Sequence, residues 1–536
     1  ARPGERQVLD LTAFYETLFF VTEALVSVCI TRRMRMVIGE PANRLVKKQD
    51  TIHIIILSAI TLGIGIYLIV TTVLIAKDSM LYIKCAKQVA DNPVEAVRNT
   101  PPCPGYPFLI HLMHKVTGLF NDAESIQGWI ISAQAVSLLS KVIASVALYF
   151  VGSYFVGPRI SFWGVLILSI LPDSAKFGSD ALPEWPHLMF LTTGFLLLLL
   201  GAQYSKNWMF GWAGIIAGLA YLVRSEGCQL VLYGSAWLLF NLIRPQGKMR
   251  RTKAAGALIL LLAGFAVIAI PYMRLKGYVF PDQGLWKLPA FLSFGNDNYS
   301  PIINANMCLA GLSIKGVIGN ETLITNMCET LVYYFVPALL IGCYYYFRKQ
   351  SKTLEQTFFA VTFIIFNIAM LCWQSSRFLS RRHTLALVVF TIFYIPIGLH
   401  TIACWLSERS PKNNVSMQKN RQHWFLVLLV IGMAICLPKL LRPMRIDKQG
   451  YLDAAMWLKE STKPEDIIAV PDKRISFYAE RKGLAYDKNV PKGVKYIVKI
   501  VKGGEKPKVS LAVQEKCSAW IGRREKRKRI IIYEVL

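Results

Sequence analysis

Charge is scarce in this chain: Asp, Glu, Lys and Arg make up 18% of its 536 residues, against 54% apolar residues. That balance excludes water as the main solvent and describes an integral membrane protein. Acidic residues are the rarer sign, 33 Asp plus Glu against 61 Lys plus Arg, for a net charge of +28. An excess of that size suggests nucleic acid when it stands on a soluble face. Here it gathers in the loops between apolar runs and in the tail segment 523–529, where it meets anionic membrane lipids, so no nucleic acid is expected as a partner. Metal-binding patterns are absent as well. Without a Cys-x-x-Cys or His-Glu-x-x-His spacing, no metal or other cofactor is expected. Eleven cysteines in so long a chain do not make a disulfide framework. An oxidising compartment would permit one pair, Cys308 with Cys328, and free, apolar-like thiols are the other reading.

What the chain has is long apolar runs. On a template of about 20 residues per crossing, about eleven spans are expected, at 54–76, 130–152, 159–176, 185–202, 208–223, 228–243, 254–272, 331–347, 358–373, 384–406 and 424–441. Basic residues are retained inside. The flank holding Arg32, Arg33, Arg35, Arg44, Lys47 and Lys48 and the connection holding Arg244, Lys248, Arg250, Arg251 and Lys253 therefore face the cytoplasm. Two long loops, 77–129 and 274–330, and the tail then face outside. Carboxylates collect on that side, and since they contribute little to topology, their bias points to chemistry.

Three regions follow: 1–50, a membrane-surface helix or an extra span; 51–442, the transmembrane region; and 443–536, a soluble α/β domain. Residues 9–30 are apolar but carry Glu16 and Glu23, and they lack the basic start and cleavage site of a signal peptide. In the tail, a helix is expected at 451–459 and strands at 466–470, 495–501 and 529–535. The run Pro471, Asp472, Lys473, Arg474, Phe477, Tyr478 and Arg481 reads as a turn and solvated basic helix, or as a contact for a glycan or lipid headgroup.

Asp78 is the first carboxylate after the first span. It opens the sequence Lys77-Asp78-Ser79-Met80-Leu81-Tyr82, which continues as a helical stretch to Val97 and then Asn99-Thr100-Pro101-Pro102-Cys103-Pro104-Gly105-Tyr106-Pro107. Further on come Ser179-Asp180-Ala181-Leu182-Pro183-Glu184, the stretch from Gly218 to Gly227 that contains Arg224 and Glu226, and Arg377-Phe378-Leu379-Ser380-Arg381-Arg382-His383. In that order and on one face, these segments resemble the GT-C glycosyltransferases that use polyprenyl-phosphate donors, in particular the protein O-mannosyltransferase and aminoarabinose transferase superfamily. The resemblance spans most of 51–442. Many mannosyltransferases carry Asp-Glu in the first loop, whereas Ser79 follows Asp78 here, a departure that weakens the expectation of a protein acceptor.

The resemblance implies a GT-C fold of about eleven transmembrane helices in a bacterial inner membrane, with the active site facing the periplasm. It implies metal-independent, inverting transfer of a sugar from a polyprenyl-phosphate carrier such as undecaprenyl phosphate to a lipid, glycan or protein. A lipid-linked glycan polymerase or ligase and a polytopic transporter are the alternatives. The transporter predicts internal repeats and charged or broken helices at the midplane, and neither stands out in the sequence. Transfer needs a base for the acceptor and cations for the leaving phosphate. Asp78 fits the base, although Asp is also favoured at helix N-caps. Arg377, Arg381, Arg382 and neighbouring His383 fit the phosphate site, because the inside preference for basic residues does not account for them; snorkelling at the interface is the other reading. Arg224, Lys87 and Arg98 are further candidates, with His111 and His114 more simply read as part of an interfacial helix. Asp180 and Glu184, four apart, would share one helical face and orient the acceptor or donor unless Pro183 and Pro186 break it. Tyr82 and Tyr106 would stack on a sugar or prenyl chain, or belong to an interfacial aromatic belt.

Overall fold

The computed structural model describes residues 48–118, 125–245, 249–280, 285–287, 321–349, 353–375, 380–408, 414–486, 490–491, 493–502, 512–521 and 528–536. The segment 1–47, Arg377 and Cys308 lie outside these residues. In chain order the first helices are α1 (Lys48–Thr71), α2 (Lys77–Asp91), α3 (Pro93–Asn99), α4 (Gly105–Thr117), α5 (Ile126–Val156), α6 (Pro158–Ile170), α7 (Pro172–Phe177), α8 (Glu184–Tyr204), α9 (Asn207–Val223), α10 (Gln229–Ile243) and α11 (Arg251–Lys276). A short hairpin of β1 (Tyr278–Phe280) and β2 (Leu285–Lys287) follows. Then come α12 (Glu321–Thr330), α13 (Phe335–Lys349), α14 (Leu354–Ser375), α15 (Arg381–Thr391), α16 (Tyr394–Glu408) and α17 (Asn414–Leu440).

Each expected apolar run contains a helix, but not all are straight spans, and the first, 54–76, leaves its helix after Thr71. Among the described residues six helices are long and apolar enough to cross a membrane, or up to eight if two bent pairs each count as one. The expected span at 331–347 is α13 with α12 bent against it by 102°, and the one at 384–406 is α15 and α16 with a bend of 63°. The run 159–176 breaks at Leu171, where Pro172 starts α7, because a proline is accommodated at the first position of a helix.

Burial separates the helices into two kinds. The apolar window of α5 is 89% buried, whereas that of α11 is 22% buried, with Ile259, Leu262 and Val267 turned outward. In water such a surface would drive aggregation; in a bilayer it meets hydrocarbon. Between α13 and α16 the backbones touch: a Cβ on Gly342 would stand 1.8 Å from the Tyr394 carbonyl oxygen, so only glycine permits this crossing.

The tail forms α18 (Gln449–Ser461), β3 (Ile467–Val470), α19 (Lys473–Ala479), β4 (Lys482–Ala485), β5 (Tyr496–Lys502), β6 (Val513–Ile521) and β7 (Lys528–Val535). Its sheet runs β4-β3-β5-β7-β6. β3 is parallel to β4 and β5, with α19 as the crossover from β3 to β4, and β7 is antiparallel to β5 and β6. Helix 451–459 and the three strands fall where the sequence predicts them. β4 and β6 were not anticipated: β4 is four residues long, and β6 reads Val-Gln-Glu-Lys-Cys-Ser-Ala-Trp-Ile, with little apolar alternation and a bulge between Glu515 and Cys517.

Candidate active site

Helix α1 ends at Thr71, where the Thr71 and Thr72 hydroxyls donate to the Tyr67 and Leu68 carbonyls. The chain then runs without helix from 72 to 76 before α2 starts, with Asp78 in its first turn. That linker is held almost atom by atom. Val73 N–H donates to the Met444 carbonyl, Arg445 donates to the Leu74 carbonyl, Ile75 N–H donates to the Tyr478 hydroxyl, and Arg474 donates to the Ile75 carbonyl. Ala76 N–H donates to Asp180, whose other oxygen is bound by Arg445. Residues more than 350 positions away in sequence thus fix the entry to Asp78.

Beyond the linker, charges alternate across four parts of the fold. Arg382 Nη1 donates to Asp78 Oδ2 at 2.6 Å, and its Nε lies 3.8 Å from Glu184 Oε1. Arg224 reaches the same Glu184 oxygen at 3.3 Å and Glu226 at 3.2 Å. Arg224 adopts an extended conformation where α9 stops, and a 3-10 turn at Ser225–Cys228 brings Glu226 beside it. This turn needs glycine, since a Cβ on Gly227 would lie 2.3 Å from the Ala220 carbonyl carbon. Arg381 and Arg382 occupy the first turn of α15, the end where the helix dipole disfavours cations. Helix stability therefore does not explain them, but the carboxylates they meet do: Arg381 pairs with Asp173 and Glu329.

Glu184, Arg224, Glu226 and Arg382 border a cleft with about 490 Å³ of atom-free space, part of it open solvent, which is also lined by His187, Gln229, Asn367 and His383 over an apolar floor of Leu188, Met370, Leu371, Leu385 and Ala386. Asp78 stands at its rim through Arg382, 48% exposed, while Glu184 is 3% exposed. Glu184 Oε2 and His187 Nδ1 are buried without a hydrogen-bond partner, an arrangement that favours a polar ligand. Burial raises the pKa of Glu226, but Arg224 and His187 outweigh it and hold the carboxyl at about 2. Tyr82, one turn after Asp78, has its phenol pushed up by burial first and by Glu184 second, so it is a hydrogen-bond donor.

The structure brings together Asp78, Tyr82, Glu184, Arg224, Arg382 and His383. Other expected residues lie elsewhere. Asp180 and Glu184 do not share a helical face, because α8 begins only at Glu184, after Pro183; Asp180 instead clamps the linker. Tyr106 is fully buried behind Tyr82, edge to face at 5.3 Å, with its hydroxyl bonded to the Ala133 carbonyl and Ser137. Lys87 stands over the Trp129 ring in a separate cleft. Arg98 sits in the last turn of α3, its carbonyl bound by Lys276. His114 stacks on Trp129 and bonds Ser132. His187, Gln229 and Asn367 went unnoticed in the sequence; His187 carried a signal, one of only seven histidines, placed three residues after Glu184.

The model of the family described as dolichyl-phosphate-mannose-protein mannosyltransferase matches residues 99–270. Among solved structures, the chain is similar to the archaeal oligosaccharyltransferase AglB from Archaeoglobus fulgidus, solved with an inhibitory peptide and a dolichol-phosphate. The TM-score is 0.59 at 12% identity, over 84% of this chain and 69% of that one. It is also similar to ArnT from Cupriavidus metallidurans bound to undecaprenyl phosphate, with a TM-score of 0.54 at 12% identity, over 89% of this chain and 97% of that one. No curated protein matches in sequence. The chain has the fold of these two structures, the GT-C fold that the sequence resemblance implies. The family model that matches it is likewise one of glycosyltransferases.

Proposed function

We propose that this protein transfers a sugar, with inversion, from a polyprenyl monophosphate carrier to an acceptor at the outer face of a bacterial inner membrane. The observation that carries this reading is the shared arginine: Arg382 links a solvent-facing carboxylate, Asp78, to a buried one, Glu184, at the mouth of a cleft. The acceptor hydroxyl or amine gives its proton to Asp78 as its oxygen or nitrogen forms a bond to the anomeric carbon. The bond from that carbon to the phosphate oxygen breaks on the opposite side, and polyprenyl phosphate leaves with the electron pair. Arg382 and Arg224 receive the charge, Arg382 turning from Asp78 to the phosphate oxygens as the donor enters, with Arg381 close by. Glu184 Oε2 accepts a hydrogen bond from a sugar hydroxyl, which completes its buried and otherwise unpartnered oxygen.

The outer-face assignment draws on the cationic ends opposite the cleft. Lys48 begins the helix that leads to Asp78, and Arg244 ends the helix that leads away from Arg224. The donor class draws on the carriers named with the two similar structures, dolichol-phosphate and undecaprenyl phosphate. The test is a panel of polyprenyl-phosphate sugars given to the purified protein in lipid vesicles, with the anomeric configuration of the product read by nuclear magnetic resonance. Transfer with an inverted anomeric centre is the expected result; retention of configuration, or transport of the sugar with no release of polyprenyl phosphate, would overturn the reading.

A further inference from the structure

A second cleft lies on the other side of α2, between that helix and the tail domain. It has about 960 Å³ of atom-free space open to solvent, and its lining includes Lys84, Lys87, Lys473, Arg481 and Lys482 against a single carboxylate, Glu480. Glu480 is shared with Lys459, from which its Oε1 accepts at 2.5 Å, and its pull on Lys87 is smaller than the opposing effect of burial. Arg481 is a fixed charged wall: its guanidinium donates to the Lys459 and Thr462 carbonyls and to the Thr462 hydroxyl. Among the described residues the four lysines have no ion-pair partner. Burial lowers the pKa of Lys87, which stands over Trp129, so this ammonium lacks some of the water that would solvate it. Like charges crowded at one cavity repel, and an anion between them removes that cost.

The cleft is not part of the transfer site. Lys84 and Lys87 follow Asp78 by six and nine residues, about 240° and 180° around the helix at roughly 100° per residue. They therefore leave α2 on the face away from Asp78. The nearby α4 carries an outward apolar stripe, Phe108, Leu112 and Val116, at helical spacing, as a helix lying in a membrane surface does. With that stripe in a membrane surface, the lysine-lined cavity would lie near the headgroups, where lysines act as separate point charges suited to a phosphodiester.

We propose that the cleft between α2 and the tail domain binds the phosphate-bearing headgroup of an anionic lipid. The run from Pro471 to Arg481 then has two functions: Asp472, Arg474 and Tyr478 turn inward to the linker, while Lys473 and Arg481 face the lipid. The proposal does not depend on the transferase reading. It is tested on the full chain in vesicles of equal phosphatidylcholine and phosphatidylglycerol, extracted gently, with the retained lipid counted by native mass spectrometry. Wild type retains phosphatidylglycerol, and Lys473→Ala/Lys482→Ala lowers that retention roughly tenfold or more, since each cation near an anionic surface is worth about 1 kcal/mol. Lys473→Arg/Lys482→Arg retains the lipid, and Arg250→Ala/Arg251→Ala, which removes an exposed basic pair elsewhere, lowers retention far less than Lys473→Ala/Lys482→Ala. Equal losses in the two alanine pairs, or no loss in either, would overturn the proposal. Added inorganic phosphate should fail to displace the lipid; displacement would make this a site for free phosphate and overturn the lipid assignment. An unchanged thermal unfolding midpoint shows that the variants are folded.

Discussion

Asp78 and Glu184 share one guanidinium and differ in what surrounds them. Asp78 is open to solvent and Glu184 is sealed, with one oxygen bonded to arginine and the other without a partner. The proposed division of work follows from that difference: an incoming acceptor reaches Asp78, and a bound sugar reaches Glu184. Arg382 serves both, and a lysine there would keep the charge but lose the fork that spans two partners. Arg382→Lys is therefore expected to lower kcat/KM by about tenfold to a hundredfold, the equivalent of one charge-assisted hydrogen bond, measured by initial rates of polyprenyl phosphate release. Glu226 supplies a pH prediction. Its pKa near 2 lies below the ordinary 4.5, so its pairing with Arg224 stabilises the fold fully above 4.5 and is lost as pH falls towards about 2. The thermal midpoint of wild type should fall across that window, while that of Glu226→Gln, already lower near neutral pH, should change less.

Between α1 and α2, five residues help to tie the helical region to the tail. A linker without helix has exposed backbone groups, and here they are satisfied from the tail domain and from Asp180. Tyr478→Phe removes the acceptor for the buried Ile75 N–H and should destabilise the protein by about 1–3 kcal/mol, read by denaturant unfolding. It should also lower kcat more than it changes KM, because Asp78 is displaced while the sugar contacts remain. The same region explains one failure of sequence reading. Asp180 carries the acidic pattern expected of a ligand, yet four-residue spacing places side chains together only inside a helix, and Pro183 stands before the first helical residue. Its carboxylate goes to Ala76, Ala181 and Arg445, and nothing near Asp180 in the sequence announces a partner 265 residues away.

The fold as a whole was legible because a bilayer demands long apolar runs, and each expected run contains a helix, although among the described residues only six, or up to eight with the bent pairs, are long and apolar enough to cross. Bends at α12–α13 and α15–α16 were not legible, since an apolar stretch has the same composition whether straight or broken. The tail showed its buried strands, β3, β5 and β7, and hid β4 and β6, which carry less apolar pattern. Asp78, Glu184, Arg224 and Arg382 could be chosen from their shared side of the membrane. Their order along one chain of charges could not, since it depends on how α2, α8, α9 and α15 converge. That convergence leads to the central claim, that Asp78 takes the acceptor's proton during transfer. The most direct measurement is polyprenyl phosphate release by purified wild type and Asp78→Asn with the same donor and acceptor. A fall of about a hundredfold to ten-thousandfold in kcat, with donor binding kept, is what a lost general base predicts. Turnover by Asp78→Asn equal to that of wild type would contradict it.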